Sequence, residues 1–304
     1  MFDAFPLKHI LVIGDVMLDE YVFGDINRIS PEAPVPVLHV HRTEYRLGGA
    51  ANVAHNIVSL GGKCTLVGQV GRDDSNSKLL FELGKKGIRH FLVERDDMPT
   101  IKKRRIVARN QQVIRVDTEM IKKLQAEHIE KIKNFLDMNS FDMIILSDYN
   151  KGMFSEDLMD ILKPYQNKII ADPKPHNSAL FRGVLAITPN LKESREISGE
   201  EEVEKIGASL MNSMNTNVFV TRSDKGVSVF EIASLQHIHI PTIAREVYDV
   251  SGAGDTFISA LTLSLAVGAT LQESAYYGVL ASSIVVGKVG TAVATPEEIL
   301  SFKV

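Results

Sequence analysis

The sequence predicts an α/β fold: a mostly parallel central sheet with helices packed on both faces. Three observations predict it. Short apolar runs such as His9–Gly14, Thr65–Gly71 and Met143–Ser147 read as strands buried on both faces. Helix-length segments alternate with such runs through the middle of the chain, which is the pattern of a covered parallel sheet. Polar residues gather directly after several runs, at the sheet edge where ligands collect in such folds.

Composition narrows the class further. The chain has 304 residues, 44% hydrophobic and 24% charged, as an ordinary globular protein does. Lys and Arg number 34 against 38 Asp and Glu, a formal charge of −4, so no basic excess points to nucleic acid or an anionic membrane. No apolar run approaches the ~20 residues of a membrane span. The N-terminus shows no charged segment leading into an apolar core, and the lone Cys64 cannot form an intrachain disulfide. A cytoplasmic location is the expectation.

Taken in order, the first strand, His9–Gly14, ends at Asp15, with Asp19 just beyond; turn-and-cap roles and ligand roles are both open for them. Residues 23–47 carry three prolines and the alternating Val35, Val37, His39 and His41, which suits an edge strand or flap. Gly48-Gly49 then turn into a helix that begins near Asn52 and stops at Gly61-Gly62. A strand at 65–71 and a helix at 75–86 follow. Residues 101–108 and 112–117 read as two strands, with Lys103, Arg105 and Arg109 on one face and Lys102 and Arg104 on the other. Such a cation density serves either a solvated edge or a lid closing over a phosphorylated substrate. Helices are expected at 120–138, 155–165 and 203–214, and strands at 143–147, 168–171, 184–188 and 218–221. An antiparallel pair at 226–231 and 237–240 precedes helices at 255–267, 271–287 and 296–302. No linker divides the chain, so 1–304 is expected to be one domain with lid strands from about 23–47 and 100–117.

The stretch with the most chemistry is Asp249-Val250-Ser251-Gly252-Ala253-Gly254-Asp255-Thr256. Two glycines one residue apart let the backbone approach a ligand, and the apolar spacing after them opens a helix. Unpaired N–H groups at a helix start suit an anion, and Asp255 in the first turn can take a proton from a hydroxyl beside it. Alone, the stretch serves a plain turn and cap equally well. The nucleotide P-loop, dinucleotide, zinc-protease and nucleophile-elbow motifs are all absent from the sequence. What accompanies Asp255 instead is a series of polar strand ends: Asp148 with Lys151, Asp172 with Lys174, Asn190 to Glu193, and Thr221 to Asp224. In a parallel sheet all of these lie along one edge, which favours a nucleotide cleft over four unrelated caps.

At this point the chain resembles the ribokinase-like (PfkB) carbohydrate kinases over essentially its whole length. The resemblance rests on Gly48-Gly49-Ala50-Ala51-Asn52-Val53-Ala54, Gly68-Gln69-Val70-Gly71-Arg72-Asp73, Asn190-Leu191-Lys192-Glu193 and the 249–256 stretch. It implies a three-layer fold with a small β-strand lid, and phosphoryl transfer from ATP to a sugar hydroxyl. Asp255 is implied as the catalytic base, with the N–H groups of Gly252, Ala253 and Gly254 as an anion hole. ATP is implied at Asn190, Leu191, Lys192, Glu193, Thr221, Ser223 and Gly226, with Glu193 acting through water on Mg²⁺ and a candidate monovalent cation besides. Asp19, Gly48, Gly49 and Asn52 are implied to hold the sugar, and Asp15 and Lys174 are assigned to the substrate with them. Ser223 departs from the pattern, because the family usually carries glycine there. Serine tolerates left-handed geometry less well, so the local path or the adenosine contact is expected to differ.

A narrower match joins Gly14-Asp15-Val16-Met17-Leu18-Asp19, residues 28–37, Arg109-Asn110-Gln111-Gln112 and Val286-Gly287-Lys288-Val289-Gly290-Thr291. These stretches are similar to the heptose 7-phosphate kinase branch, which phosphorylates the anomeric hydroxyl of D-glycero-β-D-manno-heptose 7-phosphate on the route to ADP-heptose and lipopolysaccharide. In that reading the lid offers Arg104, Arg105 or Arg109 as partners for the 7-phosphate. Many relatives continue into a nucleotidyltransferase domain, so a chain ending at Val304 is expected to be a stand-alone kinase or one half of a longer protein. Rival readings are a kinase of another sugar and a non-catalytic sugar-binding regulator. The apolar Val35, Val37 and Val40 beside edge strands suit pairing of two lids into a homodimer.

Overall fold

The computed structural model describes residues 1–109, 111–243, 247–288 and 290–302. Asn110 and Val289, each within a matched stretch, lie outside the described residues. After a short 3₁₀ segment at Phe2–Leu7, strand β1 (His9–Gly14) enters the centre of a large sheet, with every residue after His9 buried. Two long strands follow, β2 (Val16–Ile29) and β3 (Pro36–Gly49), leading into α1 (Ala50–Ser59). Then come β4 (Lys63–Gly71), α2 (Asp74–Lys85), β5 (Arg89–Arg95), β6 (Ile101–Ala108) and β7 (Gln111–Thr118). The middle alternates: α3 (Ala126–Asp137), β8 (Met143–Ser147), α4 (Glu156–Leu162), β9 (Ile169–Asp172), β10 (Ala186–Ile187), α5 (Leu191–Ser198), α6 (Val203–Met214) and β11 (Asn217–Thr221). A hairpin of β12 (Val227–Glu231) and β13 (Gln236–Ile240) precedes α7 (Ala253–Ala266), α8 (Leu271–Val285) and α9 (Pro296–Ser301).

Nine strands form one sheet in the order β13-β12-β11-β10-β9-β8-β1-β4-β5. All neighbours from β11 to β5 are parallel, and only the β11–β12–β13 end is antiparallel. The period of two in β1 divides the core: Ile10 and Val12 pack with α1, α7 and α8, while Leu11 and Ile13 pack with α3, α4 and α6. Helix α7 is buried along its whole first ten positions after Gly254, because α1 and α8 flank it. A fully buried leucine there, such as Leu261, contributes about 1.5–3 kcal/mol of burial.

The remaining four strands form a second sheet, β3-β2-β6-β7. Its hairpin is longer than residues 23–47, because β2 starts at Val16 and β3 runs on to Gly49. This places Asp19 inside a strand and joins the lid directly to the edge of the main sheet. Other differences have local causes. The helix expected at 120–138 begins only at Ala126, since the Lys122 and Lys123 carbonyls accept bonds from Gln69 Nε2 and Arg95 Nη1 and hold that segment out of the helix. Strand β5 was not expected; it is an edge strand carrying Arg89, His90, Glu94 and Arg95, so its apolar signal is diluted. The helix expected at 155–165 stops at Leu162, where Pro164 converts the chain to a 3₁₀ turn. Helix α5 was also not expected, although Asn190 and Glu193 form the reciprocal capping box that signals it.

Candidate active site

Residues at the carboxyl ends of β8, β9, β10 and β11 face the N-terminus of α7, and Lys103 of the lid reaches Tyr149 there. Gly252 caps α7 at φ 82°, and Asp255 sits in the first turn, buried. Its Oδ2 accepts a bond from Asn52 Nδ2 at 2.6 Å, and its Oδ1 accepts one from the Tyr149 hydroxyl at 2.8 Å. Burial raises the Asp255 pKa, opposed by those two donors and by the Lys174 ammonium. Among the described residues the N–H groups of Gly252 and Gly254 have no partner, whereas that of Ala253 donates to the Val250 carbonyl at 3.2 Å. The N–H groups left open to a ligand thus include those of the two glycines, while Ala253 completes the turn. A Cβ at Gly254 would meet nothing within 4 Å, so this backbone lies open to the cleft.

That cleft, about 170 Å³, runs from Gly252, Gly254 and Asp255 past Asp172 and Lys174 to Asn190, Glu193 and Thr221. A second hollow of about 680 Å³ adjoins it through Asn190 and Thr221 and is bordered by Leu191, Lys192 and Ser223. Glu193 is fully engaged: Oε2 accepts the Asn190 N–H at 2.9 Å, and Oε1 pairs with Lys174 Nζ. Burial pushes the Asp172 carboxyl up to about 7. Burial also works against the Lys174 ammonium, yet Asp172 and Glu193 beside it raise its pKa. Gly226 borders neither hollow; at φ 78° it closes the turn between β11 and β12, with a would-be Cβ 2.1 Å from the Ile240 carbonyl. Ser223 opens that turn at φ 51°, so the left-handed path is kept with a serine in it. Ser223→Gly should therefore stabilise the fold by about 0.5–1 kcal/mol. A higher midpoint in urea unfolding is the expected reading; an unchanged or lower one contradicts it.

Where the lid meets the main sheet, Gly48 and Gly49 bring the end of β3 against β2 so closely that a Cβ at Gly48 would lie 2.9 Å from Asp19 Oδ2. Asp19 is buried and its Oδ1 accepts a bond from Arg105 Nη1 at 2.6 Å. Lys103, one strand position-pair away, is half-buried, with its ammonium 5.7 Å from the centre of the Tyr149 ring. Among the described residues it forms no ion pair, and burial lowers its pKa. Contacts thus link most of these residues: Asn52 bonds Asp255, the charges of Lys174 and Asp19 act on Asp255, and Asp19 in turn meets Arg105 and Gly48. Three other residues assigned to the substrate stand apart. Arg104 points to the opposite face of the lid and pairs with Glu20 at 2.7 Å. Arg109 lies at the turn after β6, four residues or about 13 Å beyond Arg105. The Asp15 carboxylate is occupied by the N–H groups of Tyr149, Lys151 and Met153, at 2.8, 3.0 and 3.2 Å, and burial raises its pKa to about 6.

Sequence reasoning passed over Tyr149, although it stands between the strand-end residues Asp148 and Lys151. It also left Lys103 unassigned, although the alternation puts Lys103 on the face of Arg105.

Comparison with known proteins gives this geometry a context. Residues 7–298 match the pfkB family of carbohydrate kinases. The chain is 41% identical over 306 residues to the bifunctional protein HldE of a Shewanella species, covering 98% of this chain and 64% of that protein. To the bifunctional protein HldE of a Nitratiruptor species it is 39% identical over 303 residues, covering 97% and 64%. The chain thus spans somewhat under two thirds of the length of these relatives. Among solved structures, phosphofructokinase-2 from Escherichia coli in complex with potassium superposes with a TM-score of 0.80 at 21% identity, covering 96% of this chain and 97% of that one. Ribokinase from Thermotoga maritima superposes with a TM-score of 0.76 at 26% identity, covering 97% and 98%.

Proposed function

We propose, from the premise that the chain belongs to the pfkB family of carbohydrate kinases and is an ATP-dependent phosphotransferase acting on an alcohol, that its acceptor is D-glycero-β-D-manno-heptose 7-phosphate. The product is the 1,7-bisphosphate, made in the cytoplasm for ADP-heptose and lipopolysaccharide core synthesis. The observation that carries this reading is the lid face that bears Lys103 and Arg105. It sets these two cations beside the Asp19 carboxylate, with the Lys103 ammonium 5.7 Å from the ring of Tyr149, whose hydroxyl bonds Asp255. A sugar that already bears a phosphate needs cations for it, at a distance from the hydroxyl that reacts.

Asp255 takes the proton of the anomeric hydroxyl, and the freed oxygen attacks the γ-phosphorus of ATP. The bond from that phosphorus to the β–γ bridging oxygen breaks, and ADP leaves with the electron pair. The N–H groups of Gly252 and Gly254, unpartnered among the described residues, donate to the charged oxygens of the transferring group. The long hollow from Glu193 past Thr221 to Ser223 suits the rest of the nucleotide. The carboxylates of Asp172 and Glu193 suit a cation accompanying it, and Glu193, with both oxygens engaged, would act through water. Mg²⁺ would supply charge neutralisation of the polyphosphate. A monovalent cation is part of the proposal only as a requirement to be assayed.

In this reading two copies pair through their lids. Edge strand β7 is exposed along its whole length and carries Val113, Ile114 and Val116, while Val35 and Val40 stand exposed elsewhere on the lid. A monomer by light scattering at micromolar concentration would remove the dimer from the proposal. Among the described residues no helix is long and apolar enough to cross a membrane.

The acceptor assignment is tested by ATP turnover with heptose 7-phosphate, fructose 6-phosphate and ribose. The expected kcat/KM for the heptose exceeds the others by about 10²-fold or more. Equal or higher values for either competitor would replace the heptose.

A further inference from the structure

Tyr149 touches the reacting carboxylate, yet the mechanism above gives it no task. Its surroundings are built to hold it there. Asp15, buried at the end of β1, accepts three backbone N–H bonds from residues 149, 151 and 153, one of them from Tyr149 itself. Asp148, the residue before it, accepts from Asn150 N at 2.7 Å, Lys174 N at 3.0 Å and Asn177 Nδ2 at 3.0 Å. Two buried carboxylates thus fix the backbone on either side of one side chain. Buried hydrogen-bonded carboxylates are costly to maintain unless their bonds are all made, so this loop is held with little freedom. Two ammonium groups approach the ring, Lys103 Nζ from the lid at 5.7 Å and Lys174 Nζ from the strand end at 5.5 Å from its centre.

We propose that Tyr149 is a positioning residue for the base: its hydroxyl holds Oδ1 of Asp255 in place and favours the ionised carboxylate that can accept a proton. Asn52 does the same for Oδ2 from α1, so the two donors fix the plane of the carboxylate, and each oxygen keeps a second lone pair for the substrate hydroxyl. The other charged groups facing Asp255 are Lys174, which favours its charge, and Asp19 and Asp172, which oppose it. With two carboxylates and burial acting against ionisation, each hydrogen bond to Asp255 counts. The Tyr149 phenol is suited to this task because burial and the neighbouring Asp255 raise its own pKa well above the ordinary value, so it stays a donor at any working pH.

The inference rests on Asp255 being the base. Its test is the pH dependence of kcat for Tyr149→Phe, measured with saturating ATP, Mg²⁺ and heptose 7-phosphate so that titrations of the free substrates drop out. Losing a donor to a charged acceptor should move the acid limb to higher pH by about one unit, with activity largely regained on the alkaline plateau. A merely structural tyrosine would lower kcat at every pH and leave the midpoint where it was, which would overturn the proposal. Asp255→Asn, run in parallel, separates the two ideas. Near-normal turnover in that variant removes Asp255 as base. Lost turnover there, with an unmoved midpoint in Tyr149→Phe, removes the role of Tyr149 alone.

Discussion

Asp255→Asn lowers kcat by about 10²–10⁴-fold and leaves the KM for ATP and for the sugar within a few fold. The asparagine has the volume of the aspartate and can still accept from Asn52 through its carbonyl, while its amide turns toward the Tyr149 oxygen. The site keeps its shape and loses only the group that takes the proton. The fold does not suffer from the exchange. Burial raises the pKa of Asp255, so its ionised form is disfavoured in the folded state, and a neutral amide removes that penalty above the unfolded pKa. An unfolding midpoint at pH 8 equal to or above that of the parent is expected beside the lost turnover. Turnover within tenfold of the parent would mean that another group takes the proton.

Lys103→Ala has the second largest expected effect, about a 10–100-fold rise in the KM for the sugar phosphate with little change in the KM for ATP. This substitution is cleaner than Arg105→Ala. Removing Arg105 strands the buried Asp19 carboxylate without the partner now 2.6 Å away, which costs stability as well as binding. Lys103 has no ion pair to break among the described residues. Arg104→Ala is the control, since its guanidinium is held by Glu20 on the far face of the same strand. Steady-state kinetics with both substrates varied would show the contrast. Equal KM effects for Lys103→Ala and Arg104→Ala would mean that the lid contributes general charge and not a phosphate site.

The contrast between those neighbours shows what sequence alone could deliver. Alternation in a strand told which cations share a face, but not which face looks inward; that depends on how the lid sheet curls over the main sheet. Asp15 illustrates a second limit. An aspartate at a strand end reads the same whether it greets a ligand or fastens a loop, and only the positions of the 149–153 N–H groups decide between the two. Tyr149 was illegible for the same reason, because its partner Asp255 lies 106 residues away. By contrast, the glycine turn into α7 and the strand-end series were legible because each is a local pattern that parallel topology brings to one edge. Edge strand β5 and helix α5 escaped notice where charge masked a strand and a capping box opened a helix with little apolar surface.

The central claim is that this site moves a phosphoryl group from ATP to the anomeric oxygen of a sugar already phosphorylated at its far end. Phosphorus NMR of the product formed from ATP and heptose 7-phosphate tests it most directly. The account predicts a second phosphorus resonance coupled to the anomeric proton, with the 7-phosphate resonance retained. A new phosphate on any other carbon, or ADP formed with no new sugar phosphate, would contradict it.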